Sequence, residues 1–498
     1  MIMSTYLTTA NPIEQLPLAF NGYQFNHCKT LSCKNFGSHN PNDYVLQQAN
    51  KNRPTLVCRE CGAFPPLLNN QDVVEEALRY QTQQNGDLPK CTNNACDNKD
   101  FSALTHRHLY HAFGFSGDRQ RYRCKACDQT FVDRWSGTNN KHLIQQKLLG
   151  LLFTGYPVRD ICRRLEINPK TFYDQLNHIA ARCRRQLALF DERLFKHQHK
   201  VQLASNIKAL QEKSMNGVLW VASAEAQSGY VVAQHINYQQ ETVESTKEHH
   251  DAYQDTARYM ALSTPHQTLA ETFIPQGILA QVDTTYRKIF SRSNMENPLT
   301  DGRLINYPTK GTLIHPQYTV YSHYLYLKQM FQHSDYLAVF MPQETLLRSA
   351  CISVFIDHIK KKRIDPVYVL EDEQWIHGDK PDNVDIALLG WWQDRWAFTH
   401  LENASKGICH LGGDTSKDRQ WLEHATYRAI SAYQNRFQDQ FSQLINEPRR
   451  KLRPAGLLPL LDIYRAWHNL CRQDKYRLTP AQRLGLASSP ITLEQLLS

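Results

Sequence analysis

The recurrence of apolar residues along the chain changes texture near residue 190. Before that point, Asp72–Gln84, Leu143–Phe153, Val158–Leu165 and Pro169–Ile179 repeat apolar side chains at the spacing of helices with one buried face. Gly155-Tyr-Pro157 separates the second and third of these segments, and Asn168-Pro169 opens the fourth. An Asn cap followed by Pro at the first helical position is a start signal, so the pattern predicts two short helices joined by a tight turn, a helix-turn-helix. Ile161, Leu165, Ile167, Phe172, Leu176 and Ile179 fall on its inner side. Lys170, Thr171, Tyr173, Asp174, Asn177 and His178 are left on the outer face of the last helix.

After residue 190 the period shortens. Val201–Ile207, Val218–Ala224 and Tyr230–Ile236 read as strands, with Ser228-Gly229 as a hairpin turn. A polar helix is predicted at Glu241–Leu262 and a strand at Gly277–Thr284, ending in Asp283. A loop rich in Asn, Pro and Gly covers Ser291–Thr312. Then come a helix at Tyr321–Phe331, a strand at Tyr336–Phe340, a helix at Thr345–Lys362 and a strand at Val367–Leu370 that runs into Glu371-Asp372-Glu373. Hairpin strands followed by helix–strand alternation predict a mixed α/β domain with a central sheet, against which Trp391, Trp392 and Trp396 pack. The end is helical: Asp418–Ile445, a basic connection broken by proline (Glu447–Pro454), then Leu457–Arg472.

The cysteines change this picture most. Cys28 and Cys33, then Cys58 and Cys61, form C-x4-C, 24 residues, C-x2-C; Cys91 and Cys96, then Cys124 and Cys127, form C-x4-C, 27 residues, C-x2-C. One layout occurring twice is an internal repeat, and paired knuckles of this kind match zinc ribbons, each with four thiolates in a tetrahedron. A closed four-sulfur site leaves no coordination position for water, so two structural Zn2+ ions are expected to supply folding energy rather than chemistry. Cys162, Cys183, Cys351, Cys409 and Cys471 show no partner spacing and read as core residues.

With 498 residues the chain has room for several domains, and 41% hydrophobic and 10% aromatic content fit a folded protein. No apolar run approaches bilayer length and no charged-then-apolar leader opens the chain, so neither membrane residence nor secretion is expected. Paired cysteine knuckles in a long chain favour thiolate metal ligation in a reducing, cytoplasmic compartment. Between Phe101 and Phe190 there are 15 Lys or Arg against 6 Asp or Glu, an excess equal to the +9 of the whole chain. That surplus, on a ribbon and a helix-turn-helix, points to DNA. Lys170, Thr171, Tyr173, Asn177 and His178 are the candidate base and phosphate readers; Arg163, Arg164, Arg182, Arg184 and Arg185 are candidate phosphate contacts.

Two ribbons, a helix-turn-helix and a strand-rich domain with carboxylates at strand ends resemble insertion-element transposases with an RNase-H-like, DDE-type domain. Arg121-Tyr-Arg-Cys-Lys-Ala-Cys-Asp-Gln-Thr-Phe131 is similar to the closing half of their ribbon. Tyr464-Arg-Ala-Trp-His-Asn-Leu470, with Leu478-Thr-Pro-Ala-Gln-Arg-Leu-Gly-Leu486, is similar to their tail. The resemblance implies an α+β multidomain order. Ribbon 1 with its lead-in would span 1–66, a linker helix and ribbon 2 67–135, and the helix-turn-helix 136–195. An RNase-H-like domain at 196–445 and a basic helical tail at 446–498 would follow.

The resemblance also implies double-stranded DNA as partner, a homo-oligomer on that DNA, and a prokaryotic, DNA-associated setting. It implies Mg2+- or Mn2+-dependent strand cleavage and transfer, with three carboxylates on two metal ions. On this sequence those carboxylates would be Asp283, Asp372 and Glu423, with Glu371 competing with Asp372 and Glu402 with Glu423. A second register stays open. If Val201–Ile207 is the first strand, Asp283 becomes the later acid and the first acidic position falls at Ser205 or Asn206; in Ala222-Ser-Ala-Glu225 ahead of Ser228-Gly229, Glu225 is the only carboxylate. The chain would then be a transposase-derived DNA-binding regulator that does not cut.

Overall fold

The computed structural model describes residues 16–47, 55–63, 67–134, 142–197, 199–211, 217–240, 277–291, 311–372, 375–376, 378–390, 393–400, 404–412, 414–446 and 452–497. The predicted helix Glu241–Leu262, nearly all of the loop Ser291–Thr312, Glu373, Trp391, Trp392, Glu402 and most of the connection Glu447–Pro454 lie outside these residues.

Ribbon 1 holds β1 (Tyr44–Gln47) and β2 (Thr55–Cys58), followed by α1 (Asn70–Asn85). Ribbon 2 holds β3 (Tyr110–Ser116), β4 (Arg119–Cys124) and β5 (Thr130–Val132). Then come α2 (His142–Phe153), α3 (Val158–Leu165) and α4 (Pro169–His197). Asn168 caps α4 as predicted, its side-chain oxygen accepting the Thr171 N–H at 2.8 Å. The last helix does not stop at Ile179. It runs on to His197, because Ile179, Ala180, Cys183, Leu187 and Leu194 keep one face buried.

The sheet contains β6 (Lys200–Leu210), β7 (Val218–Glu225) and β8 (Val231–Ile236), with a short β9 (Tyr238–Gln239) beyond. α5 (Ile278–Ser291), β10 (Thr312–Leu313) and α6 (Pro316–Met330) lead to β11 (Tyr336–Met341), α7 (Thr345–Lys360) and β12 (Ile364–Glu371). The hairpin strands β13 (Asp385–Leu389) and β14 (Asp394–Phe398) and then β15 (Lys406–His410) complete it. The helices α8 (Asp418–His424), α9 (Arg428–Gln440), α10 (Ser442–Ile445), α11 (Pro454–Ala466), α12 (Pro480–Arg483) and α13 (Leu493–Leu497) close the chain.

The eight strands stand in the order β13-β14-β15-β12-β11-β6-β7-β8. β6, β7 and β8 pair antiparallel, β11 runs parallel to both β6 and β12, and β15 returns antiparallel beside β12. Helices cover both faces, which explains why β7 and β8 are buried along their whole length. α6 meets one face, where Ser205, Ser223 and His323 form a buried hydrogen-bonded chain; α9 meets the other, where Trp220 packs on Tyr433 and Phe437. A continuous apolar core runs from α1 and α2 through the sheet to α11 and α13.

Two predicted elements are corrected. Gly277–Thr284 is helix, not strand: Ile278, Val282, Tyr286 and Ile289 recur at helical spacing and are all buried. Asp418–Ile445 is three helices, α8, α9 and α10. The break before α9 falls at Thr426, whose hydroxyl accepts the Arg428 N–H at 3.2 Å and donates to Glu371 at 2.6 Å.

The tail segment that carried part of the resemblance staples the core. The buried Arg465 guanidinium donates to both Asp191 oxygens of α4 and to the Val231 and Val232 carbonyls. Asn469 accepts the Val231 N–H and donates to the Val231 carbonyl, both at 2.9 Å. β8 is the outer strand of the sheet, so these bonds satisfy backbone that would otherwise be open for pairing.

Candidate metal centres and nucleic-acid surface

In each ribbon a C-x4-C turn and a C-x2-C turn at the end of a strand bring four sulfurs within 4.8 Å of one another. Cys28 and Cys61 Sγ stand 3.6 Å apart and Cys33 and Cys58 Sγ 3.8 Å; in ribbon 2, Cys91–Cys127 is 3.4 Å and Cys96–Cys124 3.7 Å. These separations far exceed the ~2.05 Å of a disulfide. A Zn–S bond of ~2.3 Å in a tetrahedron gives an edge of ~3.8 Å, so both clusters fit one structural zinc ion each.

The two sites share their supports. Tyr44 pairs with Cys58 and Tyr110 with Cys124 across the hairpins. Tyr44 accepts the Cys28 N–H at 2.9 Å, while Tyr110 donates to the Asn98 and Phe101 carbonyls. Two residues after the second cysteine, Asn35 donates its N–H to Cys33 (3.4 Å) and its amide to Cys58 (3.6 Å). Asn98 does the same to Cys96 (3.4 Å) and Cys124 (3.3 Å). Donors of this kind stabilise thiolate and orient it. The sequence reading missed these four residues, although superposing the two cysteine layouts aligns both Asn and both Tyr.

Burial pushes the Cys28 thiol up, Cys33 to about 11 and Cys91 to about 12. Burial pushes Cys124 up too, but the N–H groups of Ala126 and Cys127 and the Asn98 amide outweigh it and hold the thiol at about 7. A cation that replaces the remaining protons removes the cost of keeping the sulfurs charged away from water.

On the helix-turn-helix, Phe172, Leu176 and Ile179 are fully buried, while Arg163, Arg164, Lys170, Asn177 and His178 are exposed and Thr171 is half-buried. Arg163 reaches Asp160 at 3.2 Å and Arg164 lies over the Tyr156 ring. Thr171, Asp174, Asn177 and His178 line a shallow polar hollow along α4. Tyr173 turns away from the outer face: its ring packs where a Gly456 side chain would stand, and Arg453 lies 5.9 Å over it. Arg182, Arg184 and Arg185 are not phosphate contacts in this arrangement. Arg184 bridges Asp87 (2.5 Å) and the buried Asp462 (2.6 Å), Arg185 holds Asp133 in a two-pronged pair, and Arg182 is buried. These three arginines, just past the first three turns of α4, turn inward and need internal partners, whereas Arg193 and Lys196 further along are exposed.

The three candidate acids do not converge: among the described residues the groups of metal-ligating side chains are the two cysteine quartets. Asp283 sits mid-helix on α5, paired with Arg287 one turn on at 2.9 Å. Exposed Asp372 follows β12, its carbonyl accepting from Arg428. Glu423 is on the short α8, 3.3 Å from His424. Glu371 pairs with Arg428 at 3.3 Å, and Glu225 accepts the Gln227 and Ser228 N–H groups of the β7–β8 turn. This donor set does not fit a pair of magnesium ions, which demand convergent oxygens at near-ideal geometry.

No protein-family model, curated protein or solved structure matches the chain. The cysteine quartets, the fold and the exposed side chains therefore carry the functional reading. No helix among the described residues is long and apolar enough to cross a membrane.

Proposed function

We propose that the chain is a double-stranded-DNA-binding protein of transposase-like build that does not cleave its DNA. The carrying observation is the α3–turn–α4 unit. Its apolar side is sealed into the core, while Arg163, Arg164, Lys170, Asn177 and His178 stand exposed on one short stretch. Asn177 and Lys170 are chemically suited to base edges, and the arginines to phosphate.

The order β8-β7-β6-β11-β12, three antiparallel strands and then two parallel ones, supports the RNase-H-like reading of the sheet. In that reading β6 is the first strand, which selects the second register. Asn206 on β6 donates to Gln434 on α9 at 2.9 Å, both buried. β11 is followed by Pro342 and Gln343, and Glu344 is spent capping α7. Neutral amides there cannot offset a magnesium charge, which favours the DNA-binding regulator over the strand-transferring enzyme.

The test has two arms. Duplex binding by the full chain should weaken steeply with salt, and Lys170→Ala with Asn177→Ala should lower it roughly tenfold or more while leaving zinc content unchanged. Supercoiled DNA incubated with Mg2+ or Mn2+ should stay intact. Nicking that disappears in Asp283→Ala, Asp372→Ala or Glu423→Ala would overturn the non-cleaving reading; duplex affinity indifferent to salt would overturn the whole of it.

A further inference from the structure

Ribbon 2 turns one face of its sheet to solvent, and that face has a composition its twin lacks. Side chains alternate along β4, so Arg119, Arg121 and Arg123 point one way, and Gln120, Tyr122 and Cys124 the other. Tyr122 stacks on buried Phe131 with centroids 5.8 Å apart, which fixes that side as the inner one. On the outer side His111 stands opposite Arg123. The Phe113 ring lies beside them, 5.6 Å from the Arg121 guanidinium and 5.9 Å from that of Arg123, and is 46% exposed.

The ribbon fold does not require these residues. Taking the Tyr–Cys pairs as the common register, ribbon 1 carries Val45 where His111 stands, Gln47 for Phe113, Thr55 for Arg121 and Val57 for Arg123. It forms the same cysteine cluster without them. An exposed ring framed by guanidiniums leaves apolar area in water and sets positive charges side by side, and neither stabilises the ribbon.

A partner that removes both costs is a polyanion with flat aromatic faces. Nucleic-acid strands offer phosphates for the arginines and bases for the ring, but only unpaired bases have a free face to stack on Phe113. We propose that the outer face of ribbon 2 binds an unpaired nucleic-acid strand, with one base stacked on Phe113 and the neighbouring phosphates on Arg119 and Arg121. Arg123 is already paired with Asp128 at 2.9 Å and serves to hold the ring in place. This surface is separate from the helix-turn-helix and does not depend on its reading of duplex DNA.

Fluorescence anisotropy of the zinc-loaded full chain, with a labelled oligothymidylate and a labelled duplex, tests it. Phe113→Ala should weaken oligothymidylate binding about tenfold, and Phe113→Trp should keep it. Phe113→Gln, which installs the residue of ribbon 1, should show the same loss with zinc content unchanged, so misfolding cannot produce the result. Arg119→Ala with Arg121→Ala should weaken binding and flatten its salt dependence. Wild-type affinity in both Phe113→Ala and Phe113→Gln, or equal losses on duplex and oligothymidylate, would overturn the proposal. Loss of duplex binding alone in the Lys170→Ala, Asn177→Ala variant leaves it standing and shows the two surfaces to be distinct.

Discussion

The two ribbons share a cysteine layout, a Tyr–Cys cross-strand pair and an Asn that donates to two sulfurs, yet they sit in the molecule differently. Ribbon 1 is cemented to α6 and α7: Lys29 donates to the Tyr321 hydroxyl at 2.5 Å, Lys360 to the Gly37 carbonyl at 2.8 Å, and Phe25 meets Tyr321 edge-on. Each ribbon keeps a small core of its own, but ribbon 2 is tied to α4 through Asp133 and Arg185 and leaves its outer face bare. A metal module can thus serve as part of a larger core or as a projecting arm. What separates the two is the side chains around the sulfurs.

The largest effect expected is on metal loss. Cys58→Ser should halve the zinc content and lower the main thermal transition, because unfolding ribbon 1 uncovers α6 and α7; zinc coupling to folding is on the order of 10 kcal/mol. Cys124→Ser should halve the zinc content too, but leave that transition nearly in place. Equal drops in melting temperature would break the comparison. Next in size, Arg185→Ala removes the guanidinium that grips both oxygens of the Asp133 carboxylate, 4% exposed. It should cost roughly 3 kcal/mol and open ribbon 2 to limited proteolysis before ribbon 1.

Glycines sharpen the contrast further. Gly37 (φ +62°) would place a Cβ 2.5 Å from Ile356, whereas Gly117 (φ +63°) in the β3–β4 turn has open space. Both substitutions by Ala carry backbone strain of about 1 kcal/mol, but only Gly37→Ala adds overpacking of roughly 1–3 kcal/mol, readable by urea titration. Asn35→Ala and Asn98→Ala should each lower zinc affinity at one site by roughly 10–100-fold in a chelator competition, and by similar factors.

The smallest effect concerns acid. His323 on α6, two residues from the Tyr321 that anchors ribbon 1, is fully buried, and burial lowers it to about 3. Its neutral form is required in the folded state, so its contribution is complete above pH ~6.5. It is lost as pH falls from there towards about 3, at up to ~1.4 kcal/mol per pH unit. Burial lowers His27, His235 and His468 as well, so the decline in melting temperature from pH 7.5 to 5.5 is compared between the natural chain and His323→Gln; an equal decline in both would show that His323 contributes none of it.

The cysteine spacing, the Asn168-Pro169 cap and the hairpin strands were legible because each is written in adjacent residues with a local physical cause. Asp283 was misread because a short apolar run before an acid looks alike in a strand and in a helix. The helical recurrence of Ile278, Val282, Tyr286 and Ile289 decides it only over a longer window. Arg184 and Arg185 look like phosphate contacts in the sequence, since nothing local announces Asp87, Asp462 or Asp133 as partners.

By itself the sequence determined the two sulfur quartets, the turn between α3 and α4 and the alternation of strands and helices, since these depend on neighbours along the chain. Only the tertiary structure decided which strand is central, which arginines are spent on buried carboxylates, and that the candidate acids stand apart. Those outcomes depend on groups far apart in sequence, from 52 residues for Arg185 and Asp133 to 278 for Arg184 and Asp462, whose meeting is set by how the sheet and helices pack.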